Sequence, residues 1–315
     1  MQAVVIDEGQ LRWQERPDPE PGDHELVVAV RAAGVNGADL SQRAGRYPAP
    51  PGWPQDVPGL EMAGEVAAVG ARVTRFAVGD RVMALVGGGA QAELAVVDET
   101  HALGVPAGLS WPETGGFMEA YATAYDALFG QAGLTLGDRA LVTGAAGGVG
   151  SAAVQLAALA GAHVVASVRD SARHEEVAAL GAAEVVAPAD VAEHGPYDVV
   201  LELVGAASLP SALDALALRG RVVVIGVGSG ATVELDLMAL MGRRARISAS
   251  SLRARSTGEK AVLIAALGSL VVPALGAGRL RVPVAATFPL SDAAGAYERF
   301  AAGGKLGKIV LMGGM

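Results

Sequence analysis

The segment Leu141-Val142-Thr143-Gly144-Ala145-Ala146-Gly147-Gly148-Val149-Gly150 constrains this chain more than any other. An apolar, β-branched run ends in a cluster of small residues and passes directly into an Ala-rich helical pattern. A strand, a glycine turn and a helix in that order form the opening unit of a parallel sheet, because a parallel strand needs a crossover helix.

The residues on either side of the turn keep that rhythm. The pattern predicts a helix over 113–129, a strand over 139–143, a helix over 149–160 and a strand over 163–168. It continues with a helix over 172–180, strands over 184–186 and 198–204, a helix over 209–218 and a strand over 221–226. Strands alternating with helices through short connections indicate a doubly wound parallel sheet, and the unbroken apolarity of 198–204 and 221–226 suits strands buried on both faces.

The turn itself is shaped for an anionic ligand. In the pattern A-x-G-x-x-G, Gly147 lets the backbone approach a pyrophosphate, and Gly150 lets the helix lie close to the sheet. Ala146, Gly147, Gly148 and Val149 then present backbone N–H groups at the positive end of the helix. These features predict a dinucleotide site. Its other walls are expected at strand ends: Ser167, Val204, and Ile225, Gly226 and Val227. Which dinucleotide binds depends on the end of the second strand, Ser167-Val168-Arg169-Asp170-Ser171-Ala172-Arg173. Val168 stands where an NAD site has its ribose acid, and Arg169 and Arg173 match a 2′-phosphate. NADPH is therefore favoured over NADH, although a shift of two residues would make Asp170 the ribose acid.

Residues 1–110 show another pattern, with short β-rich runs at 4–6, 25–32, 63–69, 81–85 and 92–97. Five prolines (48, 50, 51, 54, 58) exclude helix and central strand from 46–59, leaving a long shaped loop. Past Arg279 come a strand over 282–288, a helix over 291–302 and a strand over 308–312, which return to the first domain. The expected division is 1–115 completed by 281–315, and 116–280 for the nucleotide domain. A formal charge of −9 excludes a nucleic-acid partner that would need a basic surface. No cysteine is present, which removes disulfides, thiol nucleophiles and Cys-ligated zinc. No secretory signal or apolar membrane span is read, so a cytoplasmic location is expected.

Several short motifs occur in order: Ala33-Gly34-Val35-Asn36-Gly37-Ala38-Asp39, Pro58-Gly59-Leu60-Glu61-Met62-Ala63-Gly64, Val78-Gly79-Asp80-Arg81-Val82, Thr123-Ala124-Tyr125, the glycine turn, and Gly307-Lys308-Ile309-Val310-Leu311. Together they make the chain resemble the medium-chain dehydrogenase/reductase superfamily, specifically its zinc-independent quinone oxidoreductase (zeta-crystallin-like) branch. The resemblance implies a Rossmann domain plus a mostly β, GroES-like catalytic domain, and a homodimer paired through the edge strand 246–250. It also places Asn36 and Asp39 at the mouth of the cleft, Thr123 by the nicotinamide, and Lys308 at the pyrophosphate. Zinc-dependent relatives carry Cys in the first motif and His in the second. Here Asn36 and Leu60 occupy those stretches, and the five histidines (24, 101, 163, 174, 194) show no ligand spacing.

Without a metal, the acceptor must already be electrophilic. A quinone or an enone meets that condition, and the protein then chiefly holds it against the nicotinamide. Tyr47, in the proline loop, is a candidate for stacking on a flat acceptor or for donating a proton; packing is the alternative. Asp39 is as well suited to capping a turn, and Thr123 to bonding its own helix backbone. Ser251 and Arg253 are expected to line the cofactor cleft. The competing functions are an enoyl-thioester reductase of the same fold and a non-catalytic NADPH-binding or sensor protein.

Overall fold

The computed structural model describes residues 1–314, and its backbone divides into two compact units. Unit 1 comprises Met1–Ala122, Leu252–Gly303 and the chain from Lys308 onward; unit 2 comprises Thr123–Ser251 and Gly304–Gly307. Residues 252–280, expected in the nucleotide domain, pack instead in unit 1. They come after the last strand of the parallel sheet in the chain, and bury Leu263, Ile264, Leu267, Val271, Ala274 and Leu275.

Unit 1 is mostly β. Its main sheet runs in the order Val284–Pro289, Lys308–Met312, Glu25–Val35, Glu61–Val69, Arg81–Leu85 and Ala102–Gly104, with Leu94–Asp98 also pairing Glu25–Val35. Only the first two are parallel; the rest are antiparallel. A separate antiparallel pair joins Gln2–Asp7 to Gln10–Glu15. Leu26, Val28, Met62, Val66, Val82, Ala84 and Val97 close the core beneath the sheet. The proline-rich stretch 46–59 contains no helix or strand, as its five missing or constrained N–H positions require. No apolar span was expected, yet the run Thr257–Gly276 is 20 helical residues and long and apolar enough to cross a membrane. Its buried leucines and Ile264 belong to the unit's core.

Unit 2 is the doubly wound sheet. Six parallel strands run in the order Glu184–Val186, His163–Ser167, Arg139–Val142, Tyr197–Glu202, Leu216–Val224 and Arg246–Ala249. The order reverses between Arg139–Val142 and Tyr197–Glu202, which places the ligand crevice at the carboxyl ends of those two strands. Leu141, Val165, Tyr197, Val200 and Val222 fill one face. Two expected helices change most. The helix over 209–218 ends at Asp214, and its last residues join the strand Leu216–Val224. The helix over 113–129 breaks into Trp111–Gly115, Met118–Tyr125 and a π-helical turn, Asp126–Gln131.

Candidate active site

The glycine turn comes after the strand Arg139–Val142 and opens the helix Gly148–Leu159, with Gly147 at its N-cap. Gly150 is required there: a Cβ on it would lie 2.4 Å from the Gly144 carbonyl oxygen and 2.7 Å from Ala145 Cα. The helix therefore packs directly on the turn, and the first-turn amides of Gly148, Val149 and Gly150 have no partner within the helix. Ala146 through Val149 are all partly exposed. Open amides, the positive helix end and a bare Cα at Gly147 together fit a pyrophosphate.

Ser167 is buried and its carbonyl accepts from Ala145 N–H at 3.2 Å. Val204, Ile225 and Gly226 are half-buried, whereas Val227 and Ser251 are exposed. The two arginines diverge. Arg169 is exposed and forms no hydrogen bond or ion pair among the described residues, so its guanidinium is available to a phosphate. Arg173 is paired with Glu176 at 2.7 Å through one guanidinium nitrogen. Asp170 uses one carboxylate oxygen to accept from Ala172 N–H at 3.1 Å, capping the adjoining turn.

Sequence reasoning missed two residues of this unit. Glu202 ends the strand Tyr197–Glu202, is fully buried, and uses Oε1 to accept from Thr143 Oγ1, the Val204 and Gly205 N–H groups and Ser208 Oγ, all within 3.0 Å. Its Oε2 is buried without a partner among the described residues. One carboxylate thus ties the start of the glycine turn to the loop 203–208 at the carboxyl edge of the sheet. An acid closing an apolar strand was the available signal. Lys305 is the second: Nζ donates to the Gly307 carbonyl at 2.8 Å, and Gly307 N–H donates to the Ala146 carbonyl at 2.8 Å. This lysine, rather than Lys308, is the one linked to the glycine turn.

Lys308 has another role. In unit 1 its Nζ lies 2.6 Å from Glu61 Oε1 and 2.5 Å from Asn36 Oδ1, and the lysine is only 3% exposed. The expected pyrophosphate contact is corrected, because a fully buried Glu61 needs a counter-ion within reach. Asn36 Nδ2 donates to the same Glu61 oxygen at 3.0 Å. Gly34 makes room for this carboxylate, since a Cβ there would meet Glu61 Oε1 at 2.3 Å.

Asp39 lies beside this group, wholly buried in the helix Gly37–Arg43. Its carboxylate accepts from Asn36 N–H at 2.8 Å and Gly59 N–H at 3.2 Å. Burial pushes its pKa up to about 6, against the opposing pull of those amides and of Lys308. Capping, the alternative weighed for Asp39, is what the geometry shows. Glu119, not anticipated, donates its backbone N–H to Glu61 Oε2 at 2.9 Å.

Arg253 does not present its guanidinium to a cleft. It is buried and donates to the Gly87 carbonyl at 2.7 Å, the Tyr47 carbonyl at 2.9 Å and Gln42 Oε1 at 2.6 Å. Backbone carbonyls of the looped segments have no sheet partners, and a buried guanidinium satisfies several at once. The half-buried Tyr47 ring lies against it, 5.2 Å from its central carbon. Thr123 is 7% exposed on the helix Met118–Tyr125.

Comparison with known proteins places these features in a family. A profile described as alcohol dehydrogenase GroES-like domain matches residues 22–126, and one described as zinc-binding dehydrogenase matches 148–266. A quinone oxidoreductase of Lama guanicoe is 33% identical over 307 residues, covering 93% of this chain and 90% of that protein. Prostaglandin reductase-3 of Bos taurus is 38% identical over 222 residues, covering 68% of this chain and 58% of that protein. A mycobacterial protein solved in complex with NADPH superposes with a TM-score of 0.88 at 28% identity, covering 99% of this chain and 100% of that one.

Proposed function

The chain belongs to the quinone oxidoreductase branch of the medium-chain dehydrogenase/reductase superfamily, and on that premise we propose that it reduces conjugated carbonyl compounds such as quinones with NADPH, without zinc. The chain is an oxidoreductase, which sets aside the non-catalytic alternative. The observation carrying the finer reading is the open helix turn at Gly148–Gly150 with the unpaired Arg169 one strand away. The amides hold the pyrophosphate, and the guanidinium holds the 2′-phosphate by a charge-assisted bond.

Bound NADPH supplies the hydride. The protein's own groups orient and exclude. Glu202 ties Thr143 to the loop 203–208, which is expected to bear on the nicotinamide ribose. Zinc has no place in this reading. The chain has no cysteine, Leu60 has no lone pair, and Glu61 is already paired with Lys308. The acceptor is then one that needs no Lewis acid, and quinones and enones both qualify. Two copies are proposed to pair through the exposed edge of Arg246–Ala249.

The test is NADPH oxidation with a short benzoquinone, a simple enone and a crotonyl thioester. Turnover of the first two above the thioester is expected. Preference for the thioester would replace this reading by the enoyl-thioester reductase, and turnover of none would remove it.

A further inference from the structure

Two loops of unit 2 leave the carboxyl ends of neighbouring strands: residues 203–208 after Tyr197–Glu202, and residues 225–230 after Leu216–Val224. They are joined backbone to backbone. The Ile225 and Gly226 N–H groups donate to the Glu202 carbonyl at 2.9 and 3.1 Å. Ala206 N–H donates to the Gly230 carbonyl at 3.0 Å, and Ser229 N–H to the Val204 carbonyl at 2.9 Å. Only glycine fits at two points of this seam. A Cβ on Gly226 would fall on the Leu203 carbonyl, and one on Gly205 would lie 2.7 Å from the Gly230 carbonyl oxygen. The Ser229 side chain completes the join: its Oγ donates to the Val204 carbonyl at 2.9 Å and accepts from Ala207 N–H at 3.0 Å.

We propose that Ser229 is a positioning residue for the nicotinamide half of the cofactor, acting by holding the two loops as one platform. This rests on the NADPH reading proposed above. A dinucleotide lies across the switch point of such a sheet, with one nucleotide on each half. On that reading the 2′-phosphate goes to Arg169, just past the strand His163–Ser167. The nicotinamide half then falls on the other side, over Tyr197–Glu202 and Leu216–Val224. The platform reaches the glycine turn from that side. A Cβ on Gly144 would lie 3.3 Å from Val204 Cγ2, and Leu203 N–H donates to Thr143 Oγ1 at 2.8 Å.

The chemistry of the platform suits that half. Neither loop carries a charged side chain, and reduced nicotinamide is itself uncharged. Val227 is 51% exposed, and Gly228 beside it has open space where a side chain would stand. Such a surface offers an apolar contact and backbone groups, and it recognises a ligand only while its conformation is held. Glu202 holds the first loop from below, its Oε1 accepting from the Val204 and Gly205 N–H groups. The second loop contains glycines at 226, 228 and 230, the residue with most freedom to lose on ordering. The Ser229 hydroxyl is its side-chain tether, and removing it leaves one of three Ser229 contacts with the first loop. The cost of ordering the loop would then fall on the binding step.

Two ligands separate this role from a purely structural one. Adenosine 2′,5′-bisphosphate occupies the phosphate half alone, whereas NADPH spans both halves. By calorimetry, Ser229→Ala should weaken NADPH about tenfold and leave the bisphosphate within about twofold. The anisotropy of the bound nicotinamide emission should fall in the same variant. Ser229→Thr, which keeps the hydroxyl, should restore both the affinity and the anisotropy. Equal weakening of the two ligands, or NADPH affinity and anisotropy unchanged in Ser229→Ala, would overturn the proposal even if the wild type reduces quinones well. A wild type that binds NADPH but reduces neither quinone nor enone defeats the proposed function alone, since the binding comparison needs no acceptor. A wild type that binds no NADPH defeats both.

Discussion

Lys308 Nζ and Glu61 Oε1 stand 2.6 Å apart with both side chains essentially out of solvent. Removing one partner leaves the other as an unpaired charge in the interior, which costs about 3–5 kcal/mol. Lys308→Met should therefore lower stability by about that amount in urea unfolding. The double variant Glu61→Leu, Lys308→Met should recover much of the loss. A single variant with wild-type stability would show that the pair is solvated.

Arg169 is expected to carry the preference for the phosphorylated cofactor. Arg169→Ala should weaken NADPH binding by about 1.5–3 kcal/mol, the value of a charge-assisted bond, and leave NADH nearly unaffected. Titration of nicotinamide fluorescence with each cofactor measures both. Equal losses would return Arg169 to the solvated surface.

Lys305 offers a companion measurement. It is half-buried and bonded to Gly307, which is bonded to the glycine turn. Lys305→Ala should weaken both cofactors alike, by about tenfold, because the groups it serves are common to them. A change confined to NADPH would move this lysine to the 2′-phosphate.

The acid limb of stability should report Glu184. Its carboxylate is held by His163, His194 and Arg139, each at 2.7 Å, and these contacts depress its pKa from 4.5 to about 2. Since the unfolded chain protonates this group first, the stabilisation is complete above about pH 4.5 and fades as pH falls toward 2. Glu184→Gln should lower Tm by a few degrees at pH 6. The gap should close below pH 4, and a gap constant with pH would contradict the assignment.

Association should involve the edge strand. Arg246–Ala249 ends the parallel sheet, Ile247 is 38% exposed, and Leu237, Met238 and Met241 on the neighbouring helix are largely exposed. Analytical ultracentrifugation should find a dimer, and Ile247→Lys should shift it to monomer, as an edge lysine blocks strand addition. A monomeric wild type would refute the pairing.

The parallel sheet was legible because its strands are continuously apolar and its turns are marked by glycine. Glu184–Val186 and Lys308–Met312 begin and end where the pattern placed them. The helices Gly37–Arg43 and Thr257–Ala266 were not anticipated, since short or all-round apolar helices give little periodic signal. The site was legible as a position and much less so as an arrangement. The glycine turn announces its ligand by local chemistry. Lys308 was placed at the pyrophosphate by the family resemblance, and Arg253 in the cofactor cleft because it follows a strand. Their buried partners, Gln42 and Glu61, lie more than 200 residues away in the chain, and no local rule connects them. Glu119 escaped notice for the same reason: one glutamate in an Ala-rich helix looks like a solvent-facing charge until Glu61 is set beside it.

The Arg253 clamp has an effect on how the proline segment behaves. Arg253 holds the Tyr47 carbonyl, and Gln42, which accepts from Arg253, donates in turn to the Gln55 carbonyl at 3.0 Å. A loop already pinned at both shoulders has little disorder left to lose when a ligand arrives. Acceptor capture should thus resemble filling a mould, with a small entropic penalty and an association rate indifferent to solvent viscosity below the encounter limit.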